Sequence, residues 1–176
     1  MTPEVHVAYL GLGSNLGHRQ AILNAALADL TSQPQLTLLQ QASLYTTTAQ
    51  GDDAGDAFLN TAVKVLWYGT AESLLDLCQS VEAQNGRVRS YPNAPRTLDI
   101  DLLWTESGPV HTSRLKVPHP RLHQRAFALV PLLELNPDLV DQKTGGPLAT
   151  FLSSDLLSRG IATGADASRK AETACA

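Results

Sequence analysis

Cysteine is scarce in this chain of 176 residues: only Cys78 and Cys175 are present, far apart in sequence. They form no disulfide framework, and a chain of this length can bury a core without one. Long apolar runs are also lacking. No stretch approaches the roughly 20 residues needed to cross a bilayer, and no basic run leads into an apolar segment near residue 1. These absences point to a soluble protein of a reducing, cytoplasmic compartment that does not engage a membrane. Basic charge is in deficit, with 13 Lys and Arg against 17 Asp and Glu, a net charge of -4. That balance argues against a general nucleic-acid scaffold. The Gly-x-x-x-x-Gly-Lys-[Ser/Thr] phosphate loop is missing as well, and the glycines of Gly11-Leu12-Gly13-Ser14-Asn15-Leu16-Gly17 have the wrong spacing for a dinucleotide fingerprint.

The average charge conceals an asymmetry. Between Gly86 and Arg125, seven bases (Arg87, Arg89, Arg96, Arg114, Lys116, Arg121, Arg125) face three acids, leaving that stretch at +4 and the remainder at -8. A local cationic field on an acidic body suits a small polyanionic ligand.

Hydrophobic periodicity predicts strands over residues 5–12, 36–47, 58–68 and 97–104. It predicts helices over 18–30 and 70–84, the second capped by Thr70, and a short helix from His123 to about Val130 that Pro131 ends, kinks or restarts. Residues 50–56 and 90–95 read as loops and 106–109 as a turn. Residues 1–157 are expected to form one domain, followed by a disordered tail over 158–176. The order strand, helix, strand, strand, helix, strand allows an α+β, ferredoxin-like fold. Both core helices then cover one face of a four-stranded antiparallel sheet, with a helical extension at the C-terminal end.

On a strand, Asp99 and Asp101 project from one face while Leu98, Ile100 and Leu102 enter the core. Paired carboxylates with hard oxygens suit magnesium shared with substrate phosphates, although the same alternation describes an ordinary wet strand face. Arg87 and Arg96 flank a proline-containing loop and offer guanidinium forks to phosphate; the plainer reading is a solvated cationic loop. His119, held between Pro118 and Pro120, is either an aimed phosphate donor or a turn histidine. Phe58 and Asn60 share a strand face, where an aromatic plane and an amide can stack on and read a flat heterocycle, or can simply serve the sheet. Phe127 could provide a second plane. Glu82 lies beside the apolar stripe of its helix, an expensive place for an unpaired charge.

Taken together, Leu12-Gly13-Ser14-Asn15-Leu16-Gly17, Phe58-Leu59-Asn60, the run from Glu82 to Arg89, Pro95-Arg96-Thr97-Leu98-Asp99-Ile100-Asp101 and Val117-Pro118-His119-Pro120-Arg121 strongly resemble the 6-hydroxymethyl-7,8-dihydropterin pyrophosphokinases of folate synthesis. The resemblance implies the ferredoxin-like fold and an enzyme moving pyrophosphate from ATP to 6-hydroxymethyl-7,8-dihydropterin. It implies that Asp99 and Asp101 hold two magnesium ions. Gln79, Glu82, Arg87, Arg96, Ile100, Arg114, His119 and Arg125 would bind ATP, and Thr47, Thr48, Gln50, Phe58, Asn60 and Phe127 would bind the pterin. Arg87, Arg96, Asp99, Asp101 and His119 would carry the catalysis. A monomer is expected, with a homodimer left open. A ferredoxin-like binding module without turnover is the alternative, because Thr46-Thr47-Thr48-Ala49 and Asn93-Ala94-Pro95-Arg96 depart from the family's Arg-Thr-Pro-Pro and aromatic-Gly-Pro-Arg patterns. Lys116 likewise stands where a small hydroxyl residue is common.

Overall fold

The computed structural model describes residues 4–15, 18–47, 58–86 and 98–157. Strand β1 (Val5–Ser14) leads into helix α1 (Arg19–Thr31), which buries Leu23, Ala26, Leu27 and Leu30. Strand β4 (Phe58–Tyr68) and helix α2 (Ala71–Gln84) have the boundaries their periodicity predicts. The Thr70 side chain accepts the Ser73 N–H at 3.1 Å, which satisfies one of the orphan donors of the first turn of α2. At the other end Gly86, at φ +80°, takes the left-handed conformation that ends a helix at little steric cost.

The expected single strand over 36–47 is instead two: β2 (Leu36–Gln41) and β3 (Tyr45–Thr47), both paired antiparallel with β4. Opposite β4, Leu36 meets Trp67, Gln40 meets Lys64 and Tyr45 meets Asn60, so the chain gains one residue on its partner twice. The first gain is a bulge near Leu39. The second falls within 42–44, where Ala42 donates to the Ala62 carbonyl and Ser43 turns toward a later helix. Each bulge leaves a residue outside the ladder, and periodicity alone does not reveal it.

The sheet runs β2-β4-β1-β5, with β5 spanning Asp99–Thr105 and β3 prolonging the β2 edge. Helices α1 and α2 cover one face over Ala8, Leu10, Leu12, Val63, Val65, Ile100 and Leu102, giving the α+β ferredoxin-like core. A small hairpin, β6 (Val110–His111) with β7 (Lys116–Val117), follows. The extension then covers the opposite face: helix α3 (Ala126–Leu135) packs over Tyr9, Ala62 and Leu103, ahead of the short helix α4 (Ser154–Leu157). Asn136 Nδ2 donates to the Tyr9 hydroxyl, and Trp104 Nε1 donates to the Val140 carbonyl, fixing the extension to the sheet.

The expected helix from His123 to Val130 is corrected in two ways. His123 belongs to a 3-10 turn (Leu122–Gln124), and α3 continues through Pro131 to Leu135. Proline has no N–H for the Phe127 carbonyl, but Pro131 and its neighbours Leu129, Leu132, Leu133 and Leu135 are all buried. Their burial against the sheet outweighs the lost bond. Residues 50–56, 90–95 and the expected tail over 158–176 lie outside the described residues. No helix among the described residues is long and apolar enough to cross a membrane.

His6 sits in β1 opposite Trp67 and is 5% exposed, with neither ring nitrogen hydrogen-bonded among the described residues. Burial lowers its pKa, against the pull of Glu4 and Glu106. The unfolded chain therefore takes up a proton near pH 6.5 while the folded chain resists it, so stability falls as pH drops below about 6.5. His6→Phe should flatten part of that decline. Urea unfolding midpoints at pH 7.5 and 5.5 check this: an equal loss in both proteins would assign the effect elsewhere.

Candidate functional site

Alternation on three adjacent strands brings the candidate residues to one sheet face. Leu59, Val63, Val65 and Trp67 of β4 enter the core under α1 and α2, so Phe58 and Asn60 project to the other side. Leu98, Ile100 and Leu102 enter the same core, and Asp99 and Asp101 therefore project with Asn60. Between them β1 contributes only hydrogen: Gly13 lies opposite Asn60 on one side and Asp99 on the other, and Gly11 lies opposite Ala62 and Asp101. Asn60 and Asp99 are thus two strand spacings apart, ~10 Å.

Gly13 is a requirement of the Asn60 position. A Cβ there would lie 2.7 Å from Asn60 Oδ1, inside contact distance. Asn60 is 4% exposed, and its Nδ2 donates to Thr47 Oγ1 at 2.9 Å, so the amide is fixed from two sides. Phe58 is half-buried beside it in β4, and Thr47 is its partner in β3. Phe127, in the first turn of α3, is 38% exposed, with the Arg125 guanidinium 5.5 Å from its ring centroid. The same guanidinium stands 3.6 Å from Asp101 Oδ2, linking the aromatic end of the face to the carboxylate pair.

The carboxylates fit a hard cation. Both are partly exposed and share a face, and among the described residues no group of three or more His, Cys, Asp and Glu converges on a metal position. A pair of that kind suits an ion that takes its remaining ligands from water and phosphate oxygens, as magnesium does.

His119 is partly buried alongside β5, where its backbone N–H donates to the Leu103 carbonyl at 3.0 Å. Its Nδ1 accepts the Arg121 N–H at 3.2 Å, which leaves the proton of a neutral ring on Nε2. Burial and then the charge of Arg125 lower its pKa to about 4, with Asp99 opposing, so the imidazole is neutral at physiological pH. Along the outer edge of β5 a cleft of about 300 Å³ is lined by Ile100, Asp101, Arg114, Lys116 and His119, with Leu75 of α2 behind. Arg114 is exposed and ion-paired with Asp76 of α2.

Glu82 lies at the C-terminal end of α2 and is 3% exposed; Gln79, three residues earlier, is exposed. Thr48, Gln50, Arg87 and Arg96 lie outside the described residues, as does the altered segment over 93–96. Two contributors escape sequence reasoning. Gly13 enters the sequence reading only within a failed fingerprint and within the motif of the family resemblance, with no role of its own, although its parity, opposite to Leu10 and Leu12, already puts it on the Asn60 face. Glu134, where Ser43 and Tyr45 converge, has no local signal at all.

A family model described as 7,8-dihydro-6-hydroxymethylpterin-pyrophosphokinase (HPPK) matches residues 9–137, a segment that contains every candidate residue. The chain belongs to the HPPK family. The 2-amino-4-hydroxy-6-hydroxymethyldihydropteridine pyrophosphokinase of Methylorubrum extorquens is 44% identical over 133 residues, 76% of this chain and 84% of that protein. The Bacillus subtilis protein of the same name is 38% identical over 130 residues, 74% and 78% of the two chains. An HPPK-DHPS crystal structure in complex with substrates aligns with a TM-score of 0.68 at 13% identity, over 89% of this chain and 44% of that one. At that identity it supports the HPPK fold alone, and this chain spans less than half of that polypeptide.

Proposed function

We propose that this chain transfers the terminal pyrophosphoryl unit of ATP to the hydroxymethyl oxygen of 6-hydroxymethyl-7,8-dihydropterin, with magnesium, in folate synthesis. The bond from that oxygen to the beta phosphorus forms, the bond from the beta phosphorus to the AMP oxygen breaks, and the hydroxyl proton is released. The observation that carries this reading is the row Asn60, Gly13, Asp99 across three strands. It sets the Asn60 amide and the Asp99 carboxylate on one face with no side chain between them, which supports one group reading a heterocycle and the other holding a cation.

Asn60 presents an amide edge to the pterin, and Phe58 and Phe127 supply its two aromatic planes. Asp99 and Asp101 would hold magnesium, which supplies neutralising charge along the triphosphate and polarises the phosphorus under attack. His119 donates Nε2–H to a phosphate oxygen, and it remains a donor if an arriving polyanion leads it to take a second proton. Arg125 can exchange its contact with Asp101 for a phosphate oxygen. By resemblance, Arg87 and Arg96, which precede β5 in sequence, add guanidinium forks. Ile100 and Arg114 line the cleft at the edge of β5, which suits the adenosine end, and Glu82 and Gln79 stand on the neighbouring helix. Positioning and electrostatics carry the step, so no side chain is assigned as general base.

Purified protein incubated with ATP, magnesium and the pterin should form AMP and a pterin diphosphate in equal amounts. Binding of both ligands with no turnover would support a binding module instead.

A further inference from the structure

Strand β3, which carries Thr47, is only three residues long and sits beyond an interruption in the edge strand, so the β4 ladder alone holds it weakly. Its second attachment is Glu134, near the C-terminal end of α3. The Ser43 N–H reaches both Glu134 carboxylate oxygens at 3.1 Å, the Ser43 hydroxyl donates to Oε1 at 2.7 Å, and the Tyr45 hydroxyl donates to Oε2. A single carboxylate therefore gathers donors from both sides of Leu44, across 91 residues of sequence. Burial pushes the Tyr45 hydroxyl pKa up, and its bond to Glu134 adds to that shift. For Glu134, burial pushes the carboxyl up, but the bonds from Tyr45 and Ser43 outweigh it and the net direction is down. Both shifts describe an ionised acceptor with a protonated phenol, the form that makes the bond strongest.

The placement of this contact matters more than its strength. Phe127 and Glu134 are seven residues apart on α3, about two turns, and so lie on one side of the helix about 10 Å apart along its axis. Tyr45 faces Asn60 across the ladder, and Thr47 takes the Asn60 amide hydrogen. One end of this arrangement holds α3 to β3; at the other, Phe127 leaves the first turn of a helix that packs on the sheet face bearing Asn60. Tilting α3 or letting β3 slip would change the gap between the two walls.

We propose that Glu134 is a positioning residue that sets the width of the heterocycle slot, by clamping the Phe127 helix to the Thr47 strand through Ser43 and Tyr45. The inference rests on the pterin reading of that slot. It assigns to a residue outside the slot a larger effect on the pterin than on ATP, because the ATP-side groups Asp101 and His119 belong to β5 and the segment after β7, and only Arg125, at the end of α3 far from Glu134, is carried by the same helix.

The test is calorimetric titration of the full chain with the pterin and, separately, with magnesium and a non-hydrolysable ATP analogue. Glu134→Ala should weaken pterin binding about tenfold and leave the nucleotide within about twofold, because loosened geometry costs affinity only where the loosened walls meet the ligand. Tyr45→Phe, which removes a single donor, should weaken the pterin about threefold, and in the Glu134→Ala background it should add almost nothing. Glu134→Gln, which keeps an acceptor oxygen, should recover part of the loss. If Glu134→Ala does not fold, Tyr45→Phe decides the matter by the same ratio of the two affinities. Unchanged pterin affinity in the folded variants, or equal weakening of both ligands, would overturn the clamp. Failure of the unmodified chain to bind the pterin would instead remove the pterin reading, a result visible before any variant is made.

Discussion

Replacing Asp99 or Asp101 by Ala should lower turnover by at least about two orders of magnitude, roughly 3 kcal/mol of transition-state stabilisation. The two carboxylates project from one face of β5, where they repel each other until a cation is shared between them. A group that binds the metal contributes mainly when the triphosphate is present, so the loss should fall on turnover more than on folding. Stability should change little. The ion pair of Asp101 with Arg125, at 3.6 Å, joins two partly exposed groups. Pairs of that kind contribute about 0 to 1 kcal/mol. Relief of the repulsion even favours the variant without ligand. Steady-state kinetics beside a thermal melt separate the two effects: a folded variant with near-normal turnover would remove Asp99 and Asp101 from the metal role.

Gly13→Ala should weaken pterin binding by about tenfold or more, comparable with Asn60→Ala, for which an unsatisfied partner costs about 1 to 3 kcal/mol. The added methyl would begin 2.7 Å from Asn60 Oδ1. The amide must then swing away and give up its bond to Thr47 Oγ1. An extended strand accepts Ala at that position without backbone strain, so the damage is steric and local. The double variant supplies the decisive comparison. Once Asn60 is Ala, the oxygen that Gly13 accommodates is gone, and Gly13→Ala should cost little more. Fully additive losses would mean that Gly13 acts by some route other than Asn60.

Much of this was legible from residue types and spacing. Alternation in Leu98-Asp99-Ile100-Asp101-Leu102 and Phe58-Leu59-Asn60 correctly assigned the two faces, because one face is buried under α1 and α2 and a slip of one residue would bury the aspartates. Thr70 announced the start of α2, since its hydroxyl has few other uses beside an apolar helical stripe. Legibility failed where the determinant is distant. At the interruption at 42–44, Ser43 bonds to Glu134, 91 residues further on, and along α3 Pro131 is buried with its neighbours; no local pattern encodes either contact. Gly13 was in plain view, but glycine has no side chain to suggest a role until its neighbours across the sheet are known.

The proposed reaction stands on attack at the beta phosphorus of ATP and not at the gamma. ATP labelled separately at the alpha and gamma phosphates and turned over with 6-hydroxymethyl-7,8-dihydropterin follows each phosphorus directly, by chromatography and mass measurement. The alpha label should finish in AMP and the gamma label in a doubly phosphorylated pterin. Stoichiometric ADP with a singly phosphorylated pterin carrying the gamma label would contradict it.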